Sequence, residues 1–528
     1  MPGPYKGEVG DKTPAARPPA LLFSRARPLG ETTENDSGSA GNDGRRKAIA
    51  RPTGAGNEGR RCYGMIDGIV PGATASKMEG GLRKELGLGD LVLAQILCVV
   101  GSTWVGIAAK LGRAQAAFWV GAMVLFYLPL AAVVIHLNRL LPLEGGPYQW
   151  AKAGFGEMAG FLTAWNLWVY AVIVTGSIVF VVPTDLSYMI GPSAAWLPAS
   201  IPATLLITGG IVAGIALVAI HGLDIGKWLH DAGGVLIVTA YVILLPLPLL
   251  ALWRGSIHHY EPLPWAWPKL DWFSVAIFGQ MTAGALSGFE YVAILAGECR
   301  DAVRTVGRSV AISAPVIAVM FILGTSAVLA FIGNQPINVI GPIPQTFRLA
   351  FGANSWVAPF AIFLLIARAI ASASLIFTGL TRLPMTAGWD NLVPAWFARL
   401  DPRHRTPVNS ILFVAAIVMV LILLSMLGVR EQEASQLLGN ASIVHYAIVY
   451  CALFLLPLAG TLRAGAPAWL KAAALCGLFS SAVSVLIAVY PMVEVVSRQA
   501  YAAKITAVVV VANMAGVLIY RAGQRRRA

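Results

Sequence analysis

Residues 89–109 read Gly-Asp-Leu-Val-Leu-Ala-Gln-Ile-Leu-Cys-Val-Val-Gly-Ser-Thr-Trp-Val-Gly-Ile-Ala-Ala. As a helix this run is long and apolar enough to cross roughly 30 Å of hydrocarbon. Its midpoint, however, holds Gly101, Ser102 and Thr103, residue types that weaken a helix. A lipid-facing helix cannot leave backbone N–H and C=O groups unpaired. A break at this depth is tolerated only around a cavity lined by protein, where the loosened groups become ligands for something else. The stretch therefore places the chain in a membrane and marks a point where its interior opens.

The rest of the chain agrees. Hydrophobic residues make up 57% of the sequence and charged residues only 12%, about half the charged fraction of a soluble domain. No compact aqueous fold has the interior to hide that much apolar surface. The net charge of +13 would point to nucleic acid in a soluble chain. Here the basic residues fall mostly in the tails and in alternate loops, so they read as topology signals, and no nucleic-acid partner is expected. The cysteines Cys62, Cys98, Cys299, Cys451 and Cys476 form no CxxC pair. They imply neither a disulfide frame nor a metal site. No motif asks for a cofactor.

Residues 1–85 differ in kind, being rich in Gly, Pro, Ser, Arg and Asn with no run of spanning length. They read as a disordered basic tail. No apolar segment of signal-peptide type follows the charged start. From Gly89 onward the apolar runs repeat. The first half gives spans at 89–109, 115–141, 158–183, 201–220, 230–253 and 273–297. The second gives 309–333, 355–381, 408–428, 439–460, 468–491 and 502–520. The expected fold is an all-α integral membrane protein of about twelve transmembrane helices. Residues 86–460 form a ten-helix core, 461–520 two added helices, and 521–528 a basic cytoplasmic tail.

Orientation follows from Lys and Arg. One side of this layout holds Arg139, Lys152, Lys227, Arg300, Arg304, Arg308, Arg382, Arg399, Arg403, Arg405, Arg463, Lys471, Arg521, Arg525, Arg526 and Arg527. The other, from Lys110 to Lys504, holds half as many. The richer side is expected to be cytoplasmic, with both termini on it. Trp253, Tyr260, Trp265, Trp267 and Trp272 cluster as an interfacial belt would.

A second interrupted run matches the first. Span 6 contains Gly284-Ala285-Leu286-Ser287-Gly288-Phe289-Glu290-Tyr291. Spans 1 and 6 open the two halves of a five-plus-five inverted repeat. Paired glycine-interrupted segments at corresponding positions point to a binding site. Close helix packing through small residues is the competing explanation for either segment alone.

At these residues the chain resembles the amino acid–polyamine–organocation permease superfamily. Gly101-Ser102-Thr103-Trp104-Val105 is similar to the family's first-helix G-S-G-I-F stretch. Leu286-Ser287-Gly288-Phe289-Glu290 is similar to its sixth-helix F-S-G-F-E. Leu143 to Tyr148, Gly154 to Gly156, Glu298 to Arg308, Asn391 to Pro394 and Arg405 to Asn409 resemble its loops in order and spacing.

The resemblance implies a plasma-membrane secondary transporter of amino acids or related amines, working by alternating access as a symporter or exchanger. Backbone N–H groups around Gly101, Ser102 and Thr103 would hold a substrate carboxylate. Carbonyls around Ser287 and Gly288 would receive its ammonium. Phe289 and Trp104 would be aromatic gates. The chain departs from the family in carrying Thr103 and Trp104 where smaller residues are usual, which should shrink the cavity. Ile237 falls where proton-coupled members often carry a lysine.

Ionisable residues at membrane depth are costly and functional by default. Glu290 is the expected proton-coupling carboxylate. Arg368, in span 8, would pair with Glu290, hold a substrate carboxylate or stand in for the missing lysine, unless it snorkels to the interface. Asp185 reads as an external loop residue at the end of span 3. His445 reads as a hydrogen-bonding residue of span 10. Two other readings stay open. One is sodium coupling, with Ser372 and Ser374 as ligands beside first-span carbonyls; the other is a nutrient sensor that no longer transports. No enzyme motif lies at membrane depth. The scarcity of acids in the candidate cavity favours neutral substrates over polyamines.

Met78 is followed by a short polar lead into span 1. A chain beginning at Met78 is expected to insert and transport; loss of membrane insertion in that variant would refute this.

Overall fold

The computed structural model describes residues 87–141, 146–288, 302–333, 335–352, 354–386, 389, 392–402, 404–460 and 465–527. The segment read as a tail, the Met78 lead, Phe289 and Glu290 lie outside the described residues. Among the described residues no strand occurs, and ten helices are long and apolar enough to cross a membrane. An eleventh span is the bent pair Leu88–Val99 and Ser102–Ala109, which turns by 47°. Span 6 begins at Trp272 and is described only as far as Gly288.

The remaining spans are Gly112–Leu140, Glu157–Ile190, Ile201–His221, Gly226–Trp253, Thr305–Ile332, Val357–Pro384, Val408–Met426, Glu431–Ala459, Ala468–Ile487 and Arg498–Arg525. Two differ usefully from the sequence reading. Span 3 continues to Ile190 rather than ending near residue 183, because Pro183 sits in the first turn of a further helical segment, where a missing N–H costs nothing. This brings Asp185 into the membrane. Span 10 starts at Glu431, eight residues before its apolar stretch. Its first-turn acids Glu431 and Glu433 suit a helix N-terminus, and Glu433 accepts the Val496 N–H at 3.0 Å. The last helix also continues to Arg527, so the basic residues read as a tail prolong it.

The five-plus-five repeat is visible in packing. Pairing span 1 with 6, 2 with 7, and so on exchanges two of the three most closely packed couples, spans 3 with 10 and 8 with 5. A short helix follows span 2 at Pro147–Phe155, and another follows span 7 at Pro342–Phe351. Each opens on Gly-Pro and closes on a glycine of positive φ, Gly156 (93°) and Gly352 (78°), which a side chain would strain. Their sequences repeat as well: Gln149, Lys152, Phe155 and Gly156 match Gln345, Arg348, Phe351 and Gly352 in spacing.

Small residues let the core helices touch. On span 5, a Cβ added to Gly233 would lie 2.4 Å from Ala371 Cβ of span 8, and one on Gly234 would lie 3.1 Å from the Leu93 carbonyl oxygen of span 1. Backbone cannot yield as a side chain can. Span 12 is attached differently, its surface largely facing outward. Trp165 of span 3 donates its indole N–H to the Ala512 carbonyl at 2.8 Å, and Asn166 donates to the Asn513 side chain at 2.9 Å.

Gly234→Ala is expected to destabilise the detergent-solubilised protein by about 1–3 kcal/mol through overpacking. Gly210→Ala, at an exposed helical glycine with open space around it, should be neutral or slightly stabilising. Thermal unfolding followed by size-exclusion chromatography compares them.

Candidate functional site

Span 1 breaks because two residues leave the helix. Val100 (φ −78°, ψ 111°) and Gly101 (φ −124°, ψ 142°) are extended, and a new helix starts at Ser102. Two sets of backbone groups are thereby released: carbonyls at the end of the first half, and N–H groups in the first turn of the second. Span 8 takes the carbonyls. Arg368 Nη1 donates to the Val100 carbonyl at 2.9 Å, and the Ser372 hydroxyl donates to the Leu97 carbonyl at 3.3 Å.

Span 6 loosens in two stages. Its helix passes into a wider π turn over Gln280–Ala285, and the chain is non-helical at Ser287 and Gly288. Gly288 has φ of 105°, and a Cβ there would meet Cys98 Cβ at 3.6 Å. The second break thus lies against the first. The Ser287 hydroxyl donates to the Gly284 carbonyl at 2.7 Å, using one of the released acceptors.

The Trp104 indole fills the gap between the breaks. A Cβ added at Gly101 or at Gly284 would come within 2.9 Å of its ring atoms. Both positions must therefore lack side chains for the ring to fit. Trp104 lines a cavity of about 100 Å³ together with Gly101, Ser102, Thr103, Ser287 and Arg368. The structure so brings together all but three of the site residues expected from sequence. Gly288 abuts the site at Cys98, and Phe289 and Glu290 lie outside the described residues.

The cavity walls are unlike each other. Tyr170, Val174 and Ile178 of span 3 with Ile376 of span 8 make an apolar side; Gln280, Gln432, Ser435, Gln436 and Ser442 make a polar one. At one end the segment 488–497, between spans 11 and 12, is strapped down. Lys110 donates to the Met492 carbonyl at 2.7 Å, and Gln436 Oε1 accepts the N–H groups of Met492 and Val493 at 3.1 and 3.3 Å. Burial pulls the Lys110 ammonium below the ordinary lysine range, while Glu494 pulls it back up. Beyond Tyr170, further down span 3, Phe161, Trp165, Trp168 and Trp389 pack ring to ring, with centroids 5.3 to 6.3 Å apart.

Arg368 does not snorkel: it is 8% exposed and holds the broken backbone. Asp185 is not an external loop residue. It is 2% exposed, and it and Tyr241 sit within the field of the Arg368 charge. Ile237 is fully buried, and Tyr241, one turn on and also buried, lies within the field of the Arg368 charge. His445 makes the hydrogen bond expected of it, to Asn166 Oδ1 at 2.8 Å. The polar wall and the strap escaped the sequence reading, because lone Gln and Ser residues near the end of an apolar run look like ordinary helix-end polarity. Asp185 was legible from the apolar run Leu186 to Ile190, which prolongs span 3 past Pro183.

Comparison with known proteins fits this geometry. The chain is 24% identical over 381 residues to an uncharacterized transporter of Legionella pneumophila, covering 70% of this chain and 80% of the relative. It is 24% identical over 392 residues to the human Asc-type amino acid transporter 1, covering 71% and 72%. The crystal structure of MhsT in complex with L-phenylalanine superposes with a TM-score of 0.52 at 15% identity, over 78% of this chain and 99% of that one. The amino acid permease family model matches residues 89–514. The chain belongs to the amino acid permease family.

Proposed function

We propose that the chain is a secondary active transporter of small neutral amino acids that works by alternating access. The meeting of the two breaks, Gly101 with Ser287 and Gly288, beside one cavity carries the reading. A zwitterion needs donors at one end and acceptors at the other. First-turn N–H groups from Ser102 to Trp104, with the positive end of their helix, supply the first. Released carbonyls around Ser287 and Gly288 supply the second. Trp104 and, by family resemblance, Phe289 are the aromatic gates.

Charge supports a neutral substrate. Among the described residues the cavity is lined by Arg368 and Lys110 and by no acid. A polyamine or a cationic side chain would enter without a counter-ion, at a cost of several kcal/mol.

The coupling reading is protons or exchange rather than sodium. A sodium ion bound as the sequence allows would need the hydroxyls of Ser372 and Ser374 to converge with first-span carbonyls. Ser372 does meet a first-span carbonyl, that of Leu97, but Ser374 lies 3.4 Å from His230 of span 5 instead, and the guanidinium of Arg368 already holds the Val100 carbonyl. A fixed cation stands where a mobile one would go. We assign Arg368 to coupling on this ground, and Glu290 on its sequence position alone. The Lys and Arg bias supports an orientation with both termini cytoplasmic, and the plasma-membrane location rests on the family resemblance.

Counterflow in proteoliposomes against a panel of amino acids and amines, at varied pH with and without sodium, tests the reading. Small neutral amino acids should exchange without sodium, and polyamines should not. Sodium-dependent exchange, or none of any amino acid, would overturn it. Trp104→Ala should open the space between the breaks. Large neutral amino acids should then gain about tenfold in apparent affinity relative to alanine; an unchanged ranking would remove Trp104 from the site.

A further inference from the structure

Among the described residues, three buried polar atoms at and around Arg368 have no hydrogen-bond partner: Asp185 Oδ1 of span 3, the Arg368 Nε–H of span 8 and the Tyr241 hydroxyl of span 5. Buried polar groups in native structures are nearly always paired, and the exceptions gather where a protein has a second arrangement to adopt. All three meet on span 8: the Val182–Ile190 segment that carries Asp185 and span 5 that carries Tyr241 both pack against it, and both side chains lie within the field of the guanidinium. Asp185 lies close against the start of the short helix after span 7, where a Cβ on Gly341 would meet its Oδ1 at 3.1 Å.

We infer that Asp185 is the proton-exchanging partner of Arg368. With Asp185 protonated, the guanidinium holds the Val100 carbonyl, as seen here. With Asp185 ionised, it turns to the carboxylate.

The inference rests on the transport reading of the same site. A carboxylate at this depth is stable only beside a cation. Arg368 is the cation in reach, so ionisation competes directly with the Val100 bond. Losing that bond frees the carbonyl at the bend of span 1, and the bend must then move to satisfy it. The proton balance is simple. Asp185 takes one proton from water on one side of the membrane and returns it to the other, and no covalent bond besides O–H forms or breaks.

The other titratable groups nearby are few. Tyr188 shares the Asp185 helix and donates no charge, its hydroxyl meeting Asn338 at 3.2 Å. Arg348, on the short helix after span 7, donates to the carbonyls of Tyr188 and Met189. Cys98 lies on the span 1 side of the guanidinium. Span 4, also packed here, has its His221 at the far end against His404.

The test uses the full-length chain in proteoliposomes. Accumulation of a substrate from the counterflow panel is driven by a pH gradient, and exchange is recorded across pH. Asp185→Asn should lower gradient-driven accumulation by about tenfold or more, with the residual exchange flat across pH. Asp185→Glu keeps an acid on a longer arm and should restore accumulation, with the pH midpoint displaced by roughly half a unit or more.

A wild-type profile in Asp185→Asn overturns the inference. If the Asn variant does not yield monodisperse protein, Asp185→Glu decides: an unchanged midpoint overturns the inference and a displaced one supports it. Flattening by Glu290→Gln with no change in either Asp185 variant also overturns it and moves the role to Glu290. Absence of any amino acid exchange by the wild-type protein refutes the transport reading instead.

Discussion

A peptide carbonyl without a partner is a small matter in water and a large one in hydrocarbon. The architecture turns on one such group, the carbonyl of Val100. Helix 1 releases it by going extended at Val100 and Gly101, and Arg368 takes it. That single hydrogen bond explains why an arginine is present at mid-membrane in span 8, and why span 1 can bend by 47° without exposing bare backbone. It also locates the site. The groups that Arg368 does not satisfy, the first-turn N–H groups beyond Gly101, face the cavity with nothing intrahelical to bond.

The inverted repeat converts this local device into a machine with two sides. Tight pairs of helices, 3 with 10 and 5 with 8, flank the broken spans and are each other's image. In the second pair Gly233 lets span 5 approach Ala371 of span 8, and its neighbour Gly234 admits the backbone of span 1 at Leu93. A movement at the breaks therefore has stiff surfaces to work against. Spans 11 and 12, which the repeat does not require, still reach the cavity. Their connecting segment is strapped over one end by Lys110 and Gln436, and Asn440 of span 10 ties Ala488 and Tyr501 to the same wall. The added helices thus frame one end of the cavity.

Much of this was written in the sequence, because lipid imposes a length and a polarity that few other environments do. The apolar spans and the two breaks around Gly101 and Ser287 followed from runs of apolar residues and from glycines in the wrong place, whereas Arg368 was left open between the site and the interface. What did not follow was the environment of single polar residues. Asp185 looked external because Pro183 looked like an end, whereas a proline in a first turn can just as well restart a helix. Gln280 and Gln436 looked unremarkable because a lone amide carries no periodic signal. The repeat of Gln149, Lys152, Phe155 and Gly156 at Gln345 to Gly352 was available to inspection. It is hidden by the one-residue difference between the two Gly-Pro starts.

The position of Arg368 also constrains what energy source such a site can use. An ion-coupled device needs a site whose charge differs between its two states. An arginine fixed in the protein cannot itself be that difference, since its charge travels nowhere and a guanidinium does not give up its proton. A neighbour must change instead. Sodium would have to compete with a resident guanidinium for the same carbonyl, paying both its own dehydration and the displacement of a buried cation. A proton landing on a nearby carboxylate faces no such competition. It neutralises that carboxylate in place without displacing the guanidinium, and it strengthens the hold of Arg368 on span 1 by removing the rival. A fixed cation at the break therefore favours coupling through an acid beside it, and the fold places Asp185 there.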